Sequence, residues 1–155
     1  MADRDWMMKV APAAAAAATA SAAAASPARA WRTVCAVDDI PMSGARRVAR
    51  PRGLPVALFR NVEGRVFALL DRCPHRGGPL SQGIVFGDGV ACPLHNWTIG
   101  LGDGRARGPD SGCTPRFSVR IQEGMVQLDA EELASHALDE PAPVAPGNRF
   151  AAGAR

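Results

Sequence analysis

Two short stretches constrain this chain more than anything else in it. They are Asp71-Arg72-Cys73-Pro74-His75-Arg76-Gly77-Gly78-Pro79-Leu80 and Ala91-Cys92-Pro93-Leu94-His95-Asn96-Trp97. The first spaces a thiol and an imidazole as Cys-x-His and the second as Cys-x-x-His, with sixteen residues between His75 and Cys92. Each directly follows a run that reads as a β-strand. Hairpin connections so placed can bring two soft thiolates and two imidazoles to one point. Four cysteines in 155 residues are too few for a disulfide framework but enough for a metal site.

The chain around these loops is patterned as short strands. Between residues 31 and 130 the apolar period is two rather than 3.6. Trp31–Val37 alternates and is broken at Asp38-Asp39-Ile40-Pro41. Ala45–Arg50, Leu54–Arg60 and Arg65–Leu70 follow, the last two joined by turn chemistry at Asn61–Gly64. Gly87-Asp88-Gly89 separates Gly83–Phe86 from Val90–Cys92, and Gln122-Glu123-Gly124 separates Phe117–Ile121 from Met125–Asp129. Thr98–Leu101 ends in Gly102-Asp103-Gly104. Many short strands with frequent turn signals predict an all-β domain, an antiparallel sandwich or small barrel, with the two loops at its edge.

The donor set limits what the loops can hold. Two Cys and two His suit tetrahedral zinc, or iron in an iron–sulfur centre. Structural zinc usually groups its two thiols together and its two imidazoles together, whereas here each loop carries one of each. That alternation fits a [2Fe–2S] centre with two Cys and two His ligands, in which two equivalent loops clamp the irons from opposite sides. Gly77 and Gly78 allow positive φ and close backbone approach, so that amide N–H groups can point at sulfur. Pro74 and Pro93 stiffen the loops, and Pro79 and Trp97 complete the supporting set. Zinc in the same four residues, within a non-redox interaction module, stays open at this point.

The wording C-P-H-R-G-G-P-L-S-Q-G-I-V … V-A-C-P-L-H-N-W resembles the Rieske family. Within it, the wording is similar to the small subunits of assimilatory NAD(P)H-dependent nitrite reductases. Trp31…Val34-Cys35, Ala57-Leu58-Phe59-Arg60 and Gly108-Pro109-Asp110-Ser111-Gly112-Cys113 agree with it, and the likeness covers about residues 31–128. The resemblance implies that Cys73 and Cys92 bind one iron and His75 and His95 the other, with the histidine-bound iron nearest the surface. It also implies a large partner subunit holding FAD, sirohaem and a further iron–sulfur cluster, which reduces nitrite to ammonium. The chain has no Gly-x-Gly-x-x-Gly fingerprint, so its own part is electron transfer or complex stability and it is not catalytic alone. A stand-alone Rieske ferredoxin serving an aromatic-ring dioxygenase is the competing role. High-potential Rieske proteins, by resemblance, use a Ser where this chain has Trp97, a nearby Tyr and an extra disulfide. This chain has no Tyr at all and no further cysteine in its loops, so a low-potential centre is expected. Leu80, Leu94 and Trp97 are candidates for an apolar docking rim.

Composition divides the chain into three. Residues 11–30 contain 14 alanines bracketed by Pro12 and Pro27. They have no stripe of large apolar side chains, so 1–30 is expected to be a disordered extension. It is too weakly apolar for a membrane span. Asp3 and Asp5 offset Arg4 and Lys9, unlike a signal peptide, so a cytoplasmic protein is expected. Residues 31–130 form the expected domain and carry 13 Arg against 9 acids, a net +4. Residues 131–155 begin with Glu131-Glu132-Leu133-Ala134, a short helix, and continue as a Pro/Ala/Gly-rich tail of net −2 in all. The arginines are scattered, with no stripe and no aromatic platform, which argues against nucleic acid. Cys35 reads as a buried small hydrophobe, Cys113 as a free thiol and His136 as a tail residue without a role.

Overall fold

The run Val56-Ala57-Leu58-Phe59 offers apolar side chains to both faces of one strand, and all four are fully buried. A strand buried on both sides needs a layer above and a layer below it. The computed structural model of the protein, which describes residues 29–135 and Asp139, supplies them. Among the described residues nine strands form three antiparallel sheets of three. The central sheet is β2 (Gly44–Val48), β3 (Val56–Arg60) and β4 (Val66–Leu70), with β3 in the middle. A second sheet joins β5 (Ile84–Phe86), β6 (Gly89–Ala91) and β7 (Thr98–Gly100). The third runs in the order β1 (Trp31–Ala36), β9 (Met125–Asp129), β8 (Val119–Gln122).

Two cores result, one on each face of the central sheet. Val56, Leu58, Ala68 and Leu70 point to one side and pack with Cys35, Ile40, Phe117, Val126, Leu128 and Leu133. Ala57, Phe59 and Leu69 point to the other and pack with Val85, Val90, Ile99, Leu101, Leu80, Cys73 and Cys92. The period of two sends successive residues to opposite faces. One strand therefore divides the domain into a structural half and a half that carries the ligand loops.

The turns follow the residues that can make them. Glu123 and Gly124 both have positive φ, 53° and 74°, which is the mirror-image turn a two-residue hairpin needs. Asn61 closes the β3–β4 turn, its side-chain oxygen accepting from the Arg65 N–H at 2.8 Å. The same Asn61 donates to Asp88 at 2.8 Å, and Arg65 donates to Asp88 at 2.6 and 2.8 Å. The β5–β6 turn is thereby tied to the central sheet.

The all-β expectation holds, with one strand placed differently. Phe117, expected to open β8, instead donates its N–H to the Ala68 carbonyl at 2.9 Å and fills the first core. The chain is crossing between sheets there and joins β9 only at Val119. Helix α1 (Ala130–Ala134) follows β9, capped by the Asp129 carboxylate, which accepts from the N–H groups of Glu131 and Glu132. Leu133 enters the first core, and the Glu132 carboxylate accepts from Ser118 N and Oγ at 2.6 and 2.9 Å. Buried Arg50 donates to the Leu54 and Ser135 carbonyls and pairs with Asp139. The alanine-rich extension expected over 1–30 lies outside the described residues except for Arg29 and Ala30. The tail expected beyond Ser135, with His136, lies outside them except for Asp139. No helix among the described residues is long and apolar enough to cross a membrane.

If the shared strand couples the two cores, Leu58→Ala and Phe59→Ala each cost about 2–5 kcal/mol. Urea unfolding of either variant should show one transition at a lower midpoint. A variant that melts in two steps would mean that the cores fold separately.

Candidate metal centre

The two ligand loops are built on one backbone frame. In the first, Cys73 N–H donates to the carbonyl five residues on, Gly78, at 2.7 Å, and Gly77 N–H returns to the Cys73 carbonyl at 2.9 Å. In the second, Cys92 N–H donates to Trp97, again five on, at 2.8 Å, and Asn96 N–H returns to the Cys92 carbonyl at 3.0 Å. Both returning residues are left-handed, Gly77 at φ 72° and Asn96 at φ 58°. Gly and Asn are the residues that enter that region at least cost. The equivalence of the loops was legible in the spacing. The one sequence signal for Asn96 is its place four residues after Cys92, which matches that of Gly77 after Cys73.

The two glycines of the first loop do different work. Gly77 supplies the left-handed turn. Gly78 supplies room, since a Cβ there would lie 3.0 Å from Cys92 Sγ and 2.9 Å from Leu94 Cγ. Pro79 leads into a short 3-10 turn, Leu80–Gln82, that returns the chain to β5. Leu80 is fully buried in the second core and anchors the loop from below, so its expected place on a docking rim is corrected. Leu94 is exposed.

A residue given no role by the sequence closes the first loop. The Asp71 carboxylate, with no exposed side-chain surface, accepts from Ser81 N at 2.7 Å and Ser81 Oγ at 2.8 Å. Arg47 Nε stands 3.2 Å from Oδ2, the oxygen that accepts from Ser81 Oγ. The two ends of the segment are thus pinned to each other and to β2. A third segment braces the pair from outside. Thr114 Oγ1 donates to the Arg72 carbonyl at 3.0 Å, and a Cβ at Gly112 would lie 3.2 Å from Pro74 and 3.6 Å from the Trp97 ring.

The four sequence-derived ligand candidates meet, as two pairs. Cys73 and Cys92 are each 2 % exposed, at the top of the second core, and lie within hydrogen-bonding reach of each other. His95 is exposed and His75 half-buried, with ring centroids 4.7 Å apart and planes at 73°. Trp97 stacks on the His75 ring at 4.4 Å and 6°. Cys35 is buried in the first core as expected. Cys113 is half-buried, is a free thiol, and pairs by backbone with Arg105.

Burial pushes the Cys73 thiol up to about 11. Backbone N–H groups of His75 and Arg76 aimed at its sulfur draw the value down, while the neighbouring Cys92 thiol raises it. His75 Nδ1 is buried with no hydrogen-bond partner, a costly state for a ring nitrogen unless it binds a metal. No three Cys, His, Asp or Glu side chains among the described residues converge to hold a single ion. A buried thiol pair, an imidazole pair in ring contact and an orphaned ring nitrogen fit a binuclear cluster with two Cys and two His ligands. A mononuclear tetrahedral zinc ion would need all four donors at one point.

A small antiparallel domain presenting such loops is an iron–sulfur electron-transfer domain. Residues 30–118 match the Rieske [2Fe–2S] domain, and the chain belongs to that family, whose cofactor is the Rieske-type [2Fe–2S] cluster. It is 33% identical over 105 residues to Ferredoxin CarAc of Metapseudomonas resinovorans, covering 66% of this chain and 95% of that one. Among solved structures it is similar to a chain in the complex of oxygenase and ferredoxin of carbazole 1,9a-dioxygenase. That match has TM-score 0.59 and 31% identity and covers 64% of this chain and 93% of the other. It is equally similar to a Mycobacterium tuberculosis protein described as an NADH-dependent nitrite reductase small subunit. There the TM-score is 0.58 and the identity 30%, covering 64% and 94%. The chain spans only 26% and 29% of the monooxygenase and oxygenase-component sequences it also matches.

Two measurements test this frame. Asn96→Gly should keep iron loading and stability, whereas Asn96→Val should cost about 1–2 kcal/mol and lower iron content. In the cluster-free domain the Cys73 thiol ionises later than in the unfolded chain. Stability is therefore undiminished below its ordinary value of 9.0 and falls as pH rises towards 11. Thermal unfolding of Cys73→Ser should lack that alkaline slope.

Proposed function

We propose that this chain is the electron-transferring small subunit of an NAD(P)H-dependent nitrite reductase, working beside a large subunit that holds FAD, sirohaem and a further iron–sulfur cluster. In this reading Cys73 and Cys92 hold one iron of the Rieske cluster and His75 and His95 the other. The bound cluster supplies one-electron transfer. The protein's part is positional. The thiol pair sits against the second core, away from water, and the exposed His95 edge is the port for the electron. Gly77 and Asn96 hold the loops in shape, Asp71 keeps the first loop closed, and Trp97 fixes the plane of the His75 ring.

The observation that carries the reading is the third loop. Gly108-Pro109-Asp110-Ser111-Gly112-Cys113 resembles the nitrite reductase small subunits in its wording, and its Gly112 backs the ligand loops at Pro74 and Trp97. The likeness to the M. tuberculosis small subunit over 94% of its length supports it. A second reading, a stand-alone ferredoxin for an aromatic-ring dioxygenase, is favoured by the likeness to CarAc over 95% of that chain. Affinity capture of the native protein separates the two. A co-purifying subunit with sirohaem and FAD supports the first, and a non-haem iron oxygenase replaces it with the second.

The absence of tyrosine and the Trp97 side chain beside His75 leave few hydroxyl donors for the cluster, so the midpoint should lie below about 0 mV, toward the low end of the Rieske range. A redox titration giving a value well above that would refute the low-potential assignment. His95→Cys should retain iron and lose the reduced-state Rieske EPR signal. Survival of the signal would remove His95 from the ligand set.

A further inference from the structure

Seven arginines of the described residues stand within 4 Å of a carboxylate: Arg29, Arg46, Arg47, Arg50, Arg60, Arg65 and Arg107. Of the other seven, Arg116 and Arg120 are hydrogen-bonded, while Arg32, Arg52, Arg72, Arg76 and Arg105 make no side-chain hydrogen bond among the described residues. Arg72 and Arg76 are the two of these five that lie on the first ligand loop. Arg76 directly follows His75 and is exposed. Arg72 lies along the same loop, its Nε 3.3 Å from where a Cβ at Gly77 would be. The two ligand loops, residues 72–78 and 92–97, contain no acidic residue. The nearest carboxylate in sequence, Asp71, is buried and engaged by Ser81 and Arg47. On the third loop Asp110 is half-buried.

The middle of this end of the domain is apolar. Leu94 is 55 % exposed beside His95, and its side chain reaches over Gly78 on the opposite loop. Pro93 and His95, on either side of Leu94, are exposed as well. An exposed apolar centre beside two unpaired guanidiniums is the anatomy of a docking face, with contact area in the middle and charge at the rim. Two like charges held on adjacent turns of a loop, with carboxylates available elsewhere in the chain, are repulsive in isolation. They become favourable against a surface that supplies the missing acids.

We propose that the face formed by Pro93, Leu94 and His95, with Arg72 and Arg76 at its rim, docks an acidic redox protein: a partner whose own docking surface is apolar at the centre and rimmed by carboxylates. This rests on the electron-transfer reading above, and it adds the sign of the partner's charge. The guanidiniums steer the encounter and the apolar centre brings His95 into contact.

The test uses the cluster-loaded chain and reduced flavodoxin, an acidic redox protein, as the probe, with cluster reduction followed by stopped-flow absorbance. Raising salt from about 10 to about 150 mM shortens the screening length from about 30 to about 8 Å. The wild-type rate should fall about tenfold over that range. Arg72→Glu/Arg76→Glu should be about tenfold slower at low salt and should speed up as salt is added. Arg72→Lys/Arg76→Lys should keep the wild-type behaviour. The EPR spectrum should be the same in all three; the charge-reversed protein's midpoint should fall, so the variants are compared by the sign of their salt slopes, which a change in driving force does not reverse. If the charge-reversed protein fails to load its cluster, Arg76→Gln alone should show about a threefold loss at low salt. A wild-type rate indifferent to salt, or a charge-reversed variant as fast as wild type, overturns the proposal. So does tight, arginine-dependent binding of labelled single-stranded DNA, which would make this face a polyanion site. Cofactor analysis of the captured partner decides the nitrite reductase reading, and the sign of the salt slope decides this one. Neither result fixes the other.

Discussion

Both ligand loops depend on the same two hydrogen bonds, a cysteine N–H reaching five residues forward and a left-handed residue reaching four residues back. This frame turns the backbone around the cysteine so that its side chain points into the second core while residues further along the loops, Arg76 and His95 among them, are exposed. Because it is made of backbone, it sets where each cysteine lies before the histidine is placed. The first loop then puts its imidazole two residues after the thiol and the second three residues after. The imidazoles still meet, 4.7 Å apart, because each is displaced along a loop of the same length. The difference between Cys-x-His and Cys-x-x-His is a change of step on a shared frame.

The rest of the domain serves to hold those two frames side by side. β3, buried on both faces, gives the ligand half a rigid floor of Ala57 and Phe59 and gives the structural half Val56 and Leu58. Asp71 closes one loop with Ser81, and Asp88 fastens the β5–β6 turn to Asn61 and Arg65. Leu80 and the two thiols lie in the same apolar cluster. Loosening that core therefore moves the ligands as well as costing stability. A Cys73 thiol kept neutral by burial binds iron only on losing its proton, so the backbone N–H groups aimed at Cys73 matter most once the cluster is bound.

Much of this was legible before the structure. The hairpins at Asn61–Gly64, Gly87–Gly89 and Gln122–Gly124 follow from residues that tolerate the required dihedrals, and the strands between them follow from alternation. The ligand candidates were legible because few residue types bind iron, and two spaced pairs in one chain are hard to read otherwise. Leu80 was misplaced on the rim because a leucine at the end of a loop gives no local sign of which way it faces. Phe117 was misplaced in β8 because its partner, the Ala68 carbonyl, is far away in sequence. Asn96 and Asp71 carry no local sign of their roles, because an αL asparagine and a loop-closing carboxylate look like ordinary polar loop residues.

By itself, the sequence determined the chemistry on offer: two thiols, two imidazoles, no phenol, and short strands that place each donor pair just after a strand end. These are properties of residue type and local spacing, which need no knowledge of distant neighbours. The tertiary structure alone decided that the sulfurs lie in a core while His95 is exposed and His75 half-buried, and that Arg72 and Arg76 are left without carboxylates. Each of these depends on contacts between segments tens of residues apart. Burial, pairing and exposure come into being only when those segments are brought together.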